Sequence, residues 1–121
     1  VEPLEGDWSA SSGYEAGRYL AEHDRAMTAI YAANDQMANG AIAALRDSGL
    51  RVPEDVSVVG VDDSLGDIVP DRRLTTVRFD NKRVGMWAVD KIAGADGGAS
   101  GVEHMLIPGV LVEGDTVRDL R

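Results

Sequence analysis

The chain has 121 residues, enough for one compact domain and too few for two full ones. At 44% hydrophobic and 27% charged it has the balance of a folded globular chain, not a disordered one. No apolar run reaches the roughly 18 residues of a membrane helix. A net charge of −9 repels phosphate and makes this segment a poor surface for gripping nucleic acid. The lack of cysteine excludes disulfide scaffolds, thiolate zinc sites and cysteine nucleophiles, and fits a reducing compartment. No basic-then-apolar leader opens the chain, and Val1 is not an initiator methionine.

Helix-like and strand-like stretches alternate. Ser9 to Ser12 supply N-cap hydroxyls, and Glu15 stands three residues after Ser12 in a capping-box arrangement. With Ala16, Tyr19 and Leu20 on one face, the spacing predicts a helix from about Ala10 to Glu22. The uncharged run Thr28 to Ala33 reads as a buried strand. Asn34 is a natural N-cap for the next helix, and Asp35 is favourable in its first turn because of the helix dipole. The stripe Met37, Ala38, Ala41, Ile42, Leu45 carries that helix to a glycine stop at Gly49, with Pro53 beyond. Val56 to Val61, β-branched and apolar, reads as a second buried strand. Leu74 to Phe79 reads as a third.

Val84, Trp87, Ala88 and Ile92 mark a helical face that ends at Gly94, and the four glycines from Gly94 to Gly101 predict a loop. His104 to Pro108 and Val110 to Val112 read as two short closing strands. Helices and strands joined by short connections imply parallel strands in an α/β layered fold.

Catalytic motifs are scarce. There is no G-x-S-x-G elbow, and the late glycines fit neither a Walker loop nor G-x-G-x-x-G. His23 and His104 lie far apart and read as surface residues. Asp62 and Asp63 are the candidate pair for a cation or for acid/base work. Adjacent residues at a strand end point to opposite sides, however, so at most one faces a given cleft.

Position is more informative than motif. Asn34 and Asp62 stand just after the first two strands, and ligands of open α/β sheets bind outside the carboxyl ends of the strands. Asn offers two donors and an acceptor and Asp two acceptors, which together can clamp the vicinal hydroxyls of a sugar or nucleoside. Trp8 offers an aromatic face to the C–H face of a sugar ring. The alternative is that Asn34 only caps a helix, Asp62 only ends a strand and Trp8 is core.

These same stretches resemble a known family. Gly6-Asp7-Trp8-Ser9 with Ser12-Gly13-Tyr14, Thr28-Ala29-Ile30, and Ala33-Asn34-Asp35-Gln36-Met37 are similar to the lactose-repressor (LacI/GalR) family of transcriptional regulators. The likeness continues from Ser48 through Pro53-Glu54-Asp55-Val56 to Asp62-Asp63 and into Leu74-Thr75-Thr76-Val77-Arg78. It covers about Gly6 to Glu113, with several motifs in order and spacing.

The resemblance implies a partial protein: the C-terminal part of an effector-binding domain, whose N-terminal helix-turn-helix headpiece is absent from this chain. The implied fold is a three-layer α/β parallel sheet, an incomplete subdomain of the periplasmic-binding-protein-like (type I) kind. Residues about 1–78 and 104–121 would form the C-terminal subdomain, and about 79–103 would cross toward the N-terminal one. The helix carrying Val84, Trp87 and Ile92 would then lack the sheet it normally covers.

The implied function is allosteric, not enzymatic. A small sugar-like effector between the subdomains shifts the affinity of distant headpieces for operator DNA, in a cytoplasmic homodimer and without a cofactor or membrane contact. Trp8, Asn34 and Asp62 match positions that line the family's effector cleft, with Asp62 accepting effector hydroxyls. Phe79 stands where relatives often carry Gln, so it either stacks on the effector or packs beneath the crossover. Asn39 replaces an apolar residue on the face that, with the helix around Tyr14 and the loop after Asp63, forms the family's dimer. The alternative reading is a periplasmic sugar-binding protein of a transporter, which shares the fold.

Overall fold

The computed structural model describes residues 2–64, 73–94 and 104–119. Among them the elements run α1 (Ala10–His23), β1 (Ala29–Tyr31), α2 (Asp35–Asp47), β2 (Ser57–Val61), β3 (Thr75–Arg78), α3 (Asn81–Ala93) and β4 (Val110–Val112). The strands form one sheet in the order β1-β2-β3-β4. The first three are parallel, and β4 returns antiparallel against β3. The α/β sheet expected from the sequence is therefore present and mostly parallel.

Local chemistry sets the ends of the helices. Ser9, not Ser12, caps α1: its hydroxyl accepts the Ser12 N–H, while the Ser12 hydroxyl accepts the Asp7 N–H. The expected capping box from Ser12 to Glu15 is therefore displaced by one turn, because Ser12 already lies inside the helix. Asn34 caps α2 by accepting the Met37 N–H at 2.8 Å. At the other end, Leu50 N–H bonds Leu45 C=O and Gly49 N–H bonds Arg46 C=O, the paired bonds of a Schellman stop. Gly49 supplies the φ of +80° that this turn needs.

The core lies between α2, α1 and the sheet. Ala21, Ala38, Ile42 and Leu45 from the helices meet Ala32, Val52, Val56 and Val58, with Met27, Ile30, Met37, Leu50 and Leu74 packed around them. α1 and α2 approach so closely that glycine is required at the contact. A Cβ at Gly13 would sit 2.5 Å from the Cα of Met37, and one at Gly40 would sit 2.7 Å from the backbone N of Tyr14. Thr116, 1% exposed, ties the segment after β4 into the sheet: its hydroxyl donates to Val58 C=O at 2.7 Å and accepts the Thr75 N–H at 2.9 Å.

Two expectations fare differently at the C-terminal end. α3 forms over Asn81–Ala93 with Asp80 as its cap, but none of its residues is buried. Val84, Met86, Val89 and Ile92 are all exposed, while Trp87 and Ala88 are half-buried, with the Lys91 ammonium over the Trp87 ring. His104 to Pro108 is not a strand, contrary to the sequence reading. β3 ends at Arg78, whose partner in the ladder is Val110, so the segment before Gly109 has no strand beside it. Leu106 is accordingly 96% exposed. The predicted loop at Gly94 to Gly101 lies, after Gly94, outside the described residues.

Candidate functional site

The parallel register places three strand ends at one edge. Tyr31 pairs with Val59 and Val61 with Val77, so the segments after β1, β2 and β3 all leave the sheet on the same side. Those segments carry Asn34, Asp62 and Phe79. This is where an α/β sheet presents a ligand crevice.

Trp8 and Asn34 are joined directly. Asn34, 8% exposed, uses its Oδ1 to cap α2 and its Nδ2 to donate to the Trp8 C=O at 2.9 Å. One N–H and one lone pair of this amide remain for a ligand. The capping reading of Asn34 is thus realised without exhausting the side chain. Trp8 itself is not core: it is 66% exposed and held at φ +71°. The turn beneath it is fixed by Asp7, whose Oδ1 accepts from both the hydroxyl and the N–H of Ser9. These hydroxyl bonds from Ser9 and Ser12 pull the Asp7 carboxyl down from 3.8 to about 2.

Asp62 follows β2 directly, with its N–H bonded to Val77 C=O at 2.8 Å. Its φ is +107°, a conformation that side chains avoid, and that of Asp63 is +52°. Together with Trp8 these are the non-glycine residues of positive φ among the described residues, and all three lie at this edge. Strain of this kind persists where surrounding contacts over-determine it.

The contacts are visible. Asp35, 1% exposed, accepts the Thr76 hydroxyl at 2.6 Å with Oδ1 and the Ser64 N–H at 2.8 Å with Oδ2. Arg78 donates to Asp63 Oδ2 at 3.2 Å, which turns the Asp63 carboxylate toward β3. The Asp62 carboxylate accepts no hydrogen bond from the described residues and is exposed. The two aspartates therefore differ in their surroundings: Asp63 is paired with Arg78, and Asp62 is exposed.

The roles of Asp35 and Thr76 were not evident from spacing. The one signal was Gly60: a Cβ there would meet Asp35 Oδ1 and would sit 2.9 Å from Leu74, so a glycine in mid-strand leaves room for a buried carboxyl group.

Phe79 is 42% exposed and also touches the returning chain. A Cβ at Gly109 would lie 3.0 Å from its ring and 2.8 Å from Val77. One part of the ring packs at the crossover while the rest stays open. His23 stacks on Tyr19 and bonds its carbonyl at the far end of α1, and His104 is exposed; neither joins the site. Among the described residues no group of three or more His, Cys, Asp or Glu could hold a metal ion. No helix among them is long and apolar enough to cross a membrane.

A mostly parallel sheet with helices packed on it, carrying an indole, an amide and an exposed carboxylate just beyond its carboxyl edge, has the architecture of one lobe of a periplasmic-binding-protein-like fold. The comparisons agree. Residues 1–117 match the family described as periplasmic binding protein-like domain, and the chain belongs to that family. It is 39% identical over 119 residues to the lactose operon repressor of Escherichia coli K12, covering 96% of this chain and 33% of the repressor. It superimposes with a TM-score of 0.80 on a lac repressor dimer bound to operator and the anti-inducer ONPF, at 39% identity over 97% of this chain and 42% of that one. A LacI family transcriptional regulator from Arthrobacter sp. FB24, in complex with lactose, gives a TM-score of 0.75 at 33% identity, covering 93% of this chain and 42% of that one. The chain spans about a third of the length of the curated repressor that it matches.

Proposed function

We propose that this chain is the C-terminal part of the effector-binding domain of a LacI-type transcriptional repressor that responds to a small sugar-like ligand. The observation that carries this reading is the placement of Trp8, Asn34, Asp62 and Phe79 at the carboxyl edge of the parallel strands, with the non-glycine residues of positive φ among the described residues at the same edge. The Asp62 carboxylate accepts two effector hydroxyls. The spare N–H of Asn34 donates to a third oxygen, and the exposed faces of Trp8 and Phe79 stack on the apolar face of the ring. Residues about 1–78 and 104–121 form the C-terminal subdomain, and the chain from Phe79 through α3 crosses to the N-terminal one. That assignment accounts for a helix with no buried residue and with Val84, Met86, Val89 and Ile92 exposed.

In this reading the protein is a switch without a catalytic residue, working in the cytoplasm as a homodimer. The effector makes different contacts in the open and closed states of the two subdomains, and only that difference moves the operator affinity of the headpieces. Repressors among the relatives favour this reading over that of a transport protein on the same fold.

The test is calorimetric titration of the full-length protein with mono- and disaccharides and nucleosides, lactose and ribose among them. One class is expected to bind, with Asp62→Asn weakening it by about 1–3 kcal/mol, since a carboxylate acceptor is replaced by a mismatched amide. Binding that is indifferent to Asp62→Asn refutes the assignment of the site.

A further inference from the structure

We infer that Asp35 is a positioning residue that sets the placement of Asp62 relative to Asn34, and so the spacing of the two polar groups offered to the ligand. The inference rests on the proposed ligand edge and deepens it.

Asp35 follows Asn34 immediately and belongs to the first turn of α2, so its backbone moves with the cap that holds Asn34. Its carboxyl group leaves the helix and enters the sheet edge, where it is 1% exposed. One oxygen takes the hydroxyl of Thr76 on β3 at 2.6 Å, and the other takes the Ser64 N–H at 2.8 Å, two residues after Asp62. Thr76 Oγ1 in turn accepts the Asp63 N–H at 3.4 Å. Asp35 therefore grips the loop at both Asp63 and Ser64, once directly and once through Thr76.

That grip answers a specific difficulty. Asp62 and Asp63 hold φ of +107° and +52°, conformations that persist only where neighbouring bonds enforce them. The backbone bond from Asp62 N–H to Val77 C=O pins the entry of the loop, and Asp35 pins its exit. Without the second pin the loop relaxes toward ordinary φ and the Asp62 carboxylate turns away. The absence of a side chain at Gly60 is the space this carboxyl group occupies. An amide at position 35 serves only one of the two donors as an acceptor, because its nitrogen offers hydrogens where Ser64 or Thr76 also offers one.

The experiment uses the full-length protein with lactose as the probe and four variants: Asp35→Asn, Thr76→Val, Thr76→Ser and Asp62→Asn. Hydrogen exchange at the Ser64 amide is read alongside lactose affinity. Asp35→Asn is expected to speed exchange at Ser64 at least tenfold, with the amides of Ile42 and Leu45 in α2 unchanged. It is expected to weaken lactose at least tenfold. Thr76→Val should weaken lactose as well, and Thr76→Ser, which keeps the hydroxyl, should restore it to within about twofold.

In the Asp62→Asn background, Asp35→Asn should cost little more, since the residue through which it acts is already gone. Additive losses in that double variant, or a Ser64 amide that stays protected in Asp35→Asn, overturn the inference. If lactose fails to bind the unaltered protein while Ser64 is still released by Asp35→Asn, the loop-positioning role stands and lactose is refuted as a ligand of the edge. If Asp62→Asn leaves lactose affinity unchanged, the ligand edge itself is wrongly placed and the inference falls with it.

Discussion

Replacing Gly40 with alanine puts two principles in direct opposition. Helix propensity says that alanine in mid-helix gains about 1 kcal/mol over glycine. The packing of α1 on α2 says the reverse. A Cβ at Gly40 would stand 2.7 Å from the Tyr14 backbone N and 2.9 Å from the Ala10 carbonyl carbon, and closer still to that carbonyl oxygen. Ordinary contact begins at 3.4 Å, so α1 must retreat by about 0.7 Å to clear Tyr14 and by more to clear Ala10. The obstructing atoms are backbone and cannot rotate away. The cost therefore lies near the upper end of the 1–3 kcal/mol typical of overpacking, leaving a net loss of about 2 kcal/mol after the propensity gain.

Ala43, exposed on the same helix, supplies the control: Ala43→Gly should cost about 1 kcal/mol through propensity alone. Urea unfolding of the two variants is the assay. Both midpoints should fall with the slope unchanged. Because α1 begins two residues after Trp8, its retreat should also stretch the bond from Asn34 to the Trp8 carbonyl and lower ligand affinity. A Gly40→Ala protein more stable than its parent would refute the close approach and the packing argument with it.

Three further outcomes follow from the same contacts. Thr116→Val keeps the shape but strands the buried Thr75 N–H and removes a donor from Val58 C=O. The expected loss is about 2–4 kcal/mol in denaturant unfolding, and a loss below about 1 would show that water or backbone takes over. Asn34→Ala removes the cap of α2 and should cost about 0.5–2 kcal/mol, with faster exchange at the Met37 amide as its local signature. In an NMR titration Asp7 should show a midpoint of about 2, not 3.8. Since its folded value is the lower one, any stabilisation it gives is complete above about pH 4 and is lost as pH falls toward 2. A Ser9→Ala, Ser12→Ala variant should return the midpoint toward 3.8, and an unchanged midpoint would contradict the hydroxyl bonds as its cause.

What the sequence made legible was whatever depends on near neighbours. Asn34 as a cap, Gly49 as a stop, and the β-branched run ending at Val61 each follow from a few consecutive residues. The structure keeps all three. The failures share a different cause. His104 to Pro108 has the composition of a strand, but a strand needs a partner, and β3 ends too soon to give one. The helix starts at Ala10 as its spacing predicts, but the Ser12–Glu15 capping box does not form, because Asp7 holds the turn that makes Ser9 the cap. Thr116 gave no signal, because its value lies in two strands more than 40 residues away in sequence.

Asp35 shows most clearly why a candidate site is only half readable in this way. As a first-turn acid it needed no explanation beyond the helix dipole, and that sufficient local reason concealed a tertiary one. The residues that would touch the ligand are exposed and chemically conspicuous: an indole, an amide, a carboxylate and a phenyl ring at strand ends. The residue that fixes their separation is buried, and its partners are Thr76 on β3 and Ser64 in the loop after β2. In the proposed reading, specificity for one sugar over another depends on distances of a few tenths of an ångström between acceptors, and is set by the hidden group as much as by the visible ones. Two relatives with the same Trp, Asn and Asp at this edge can therefore prefer different ligands if the pins beneath the Asp62 loop differ.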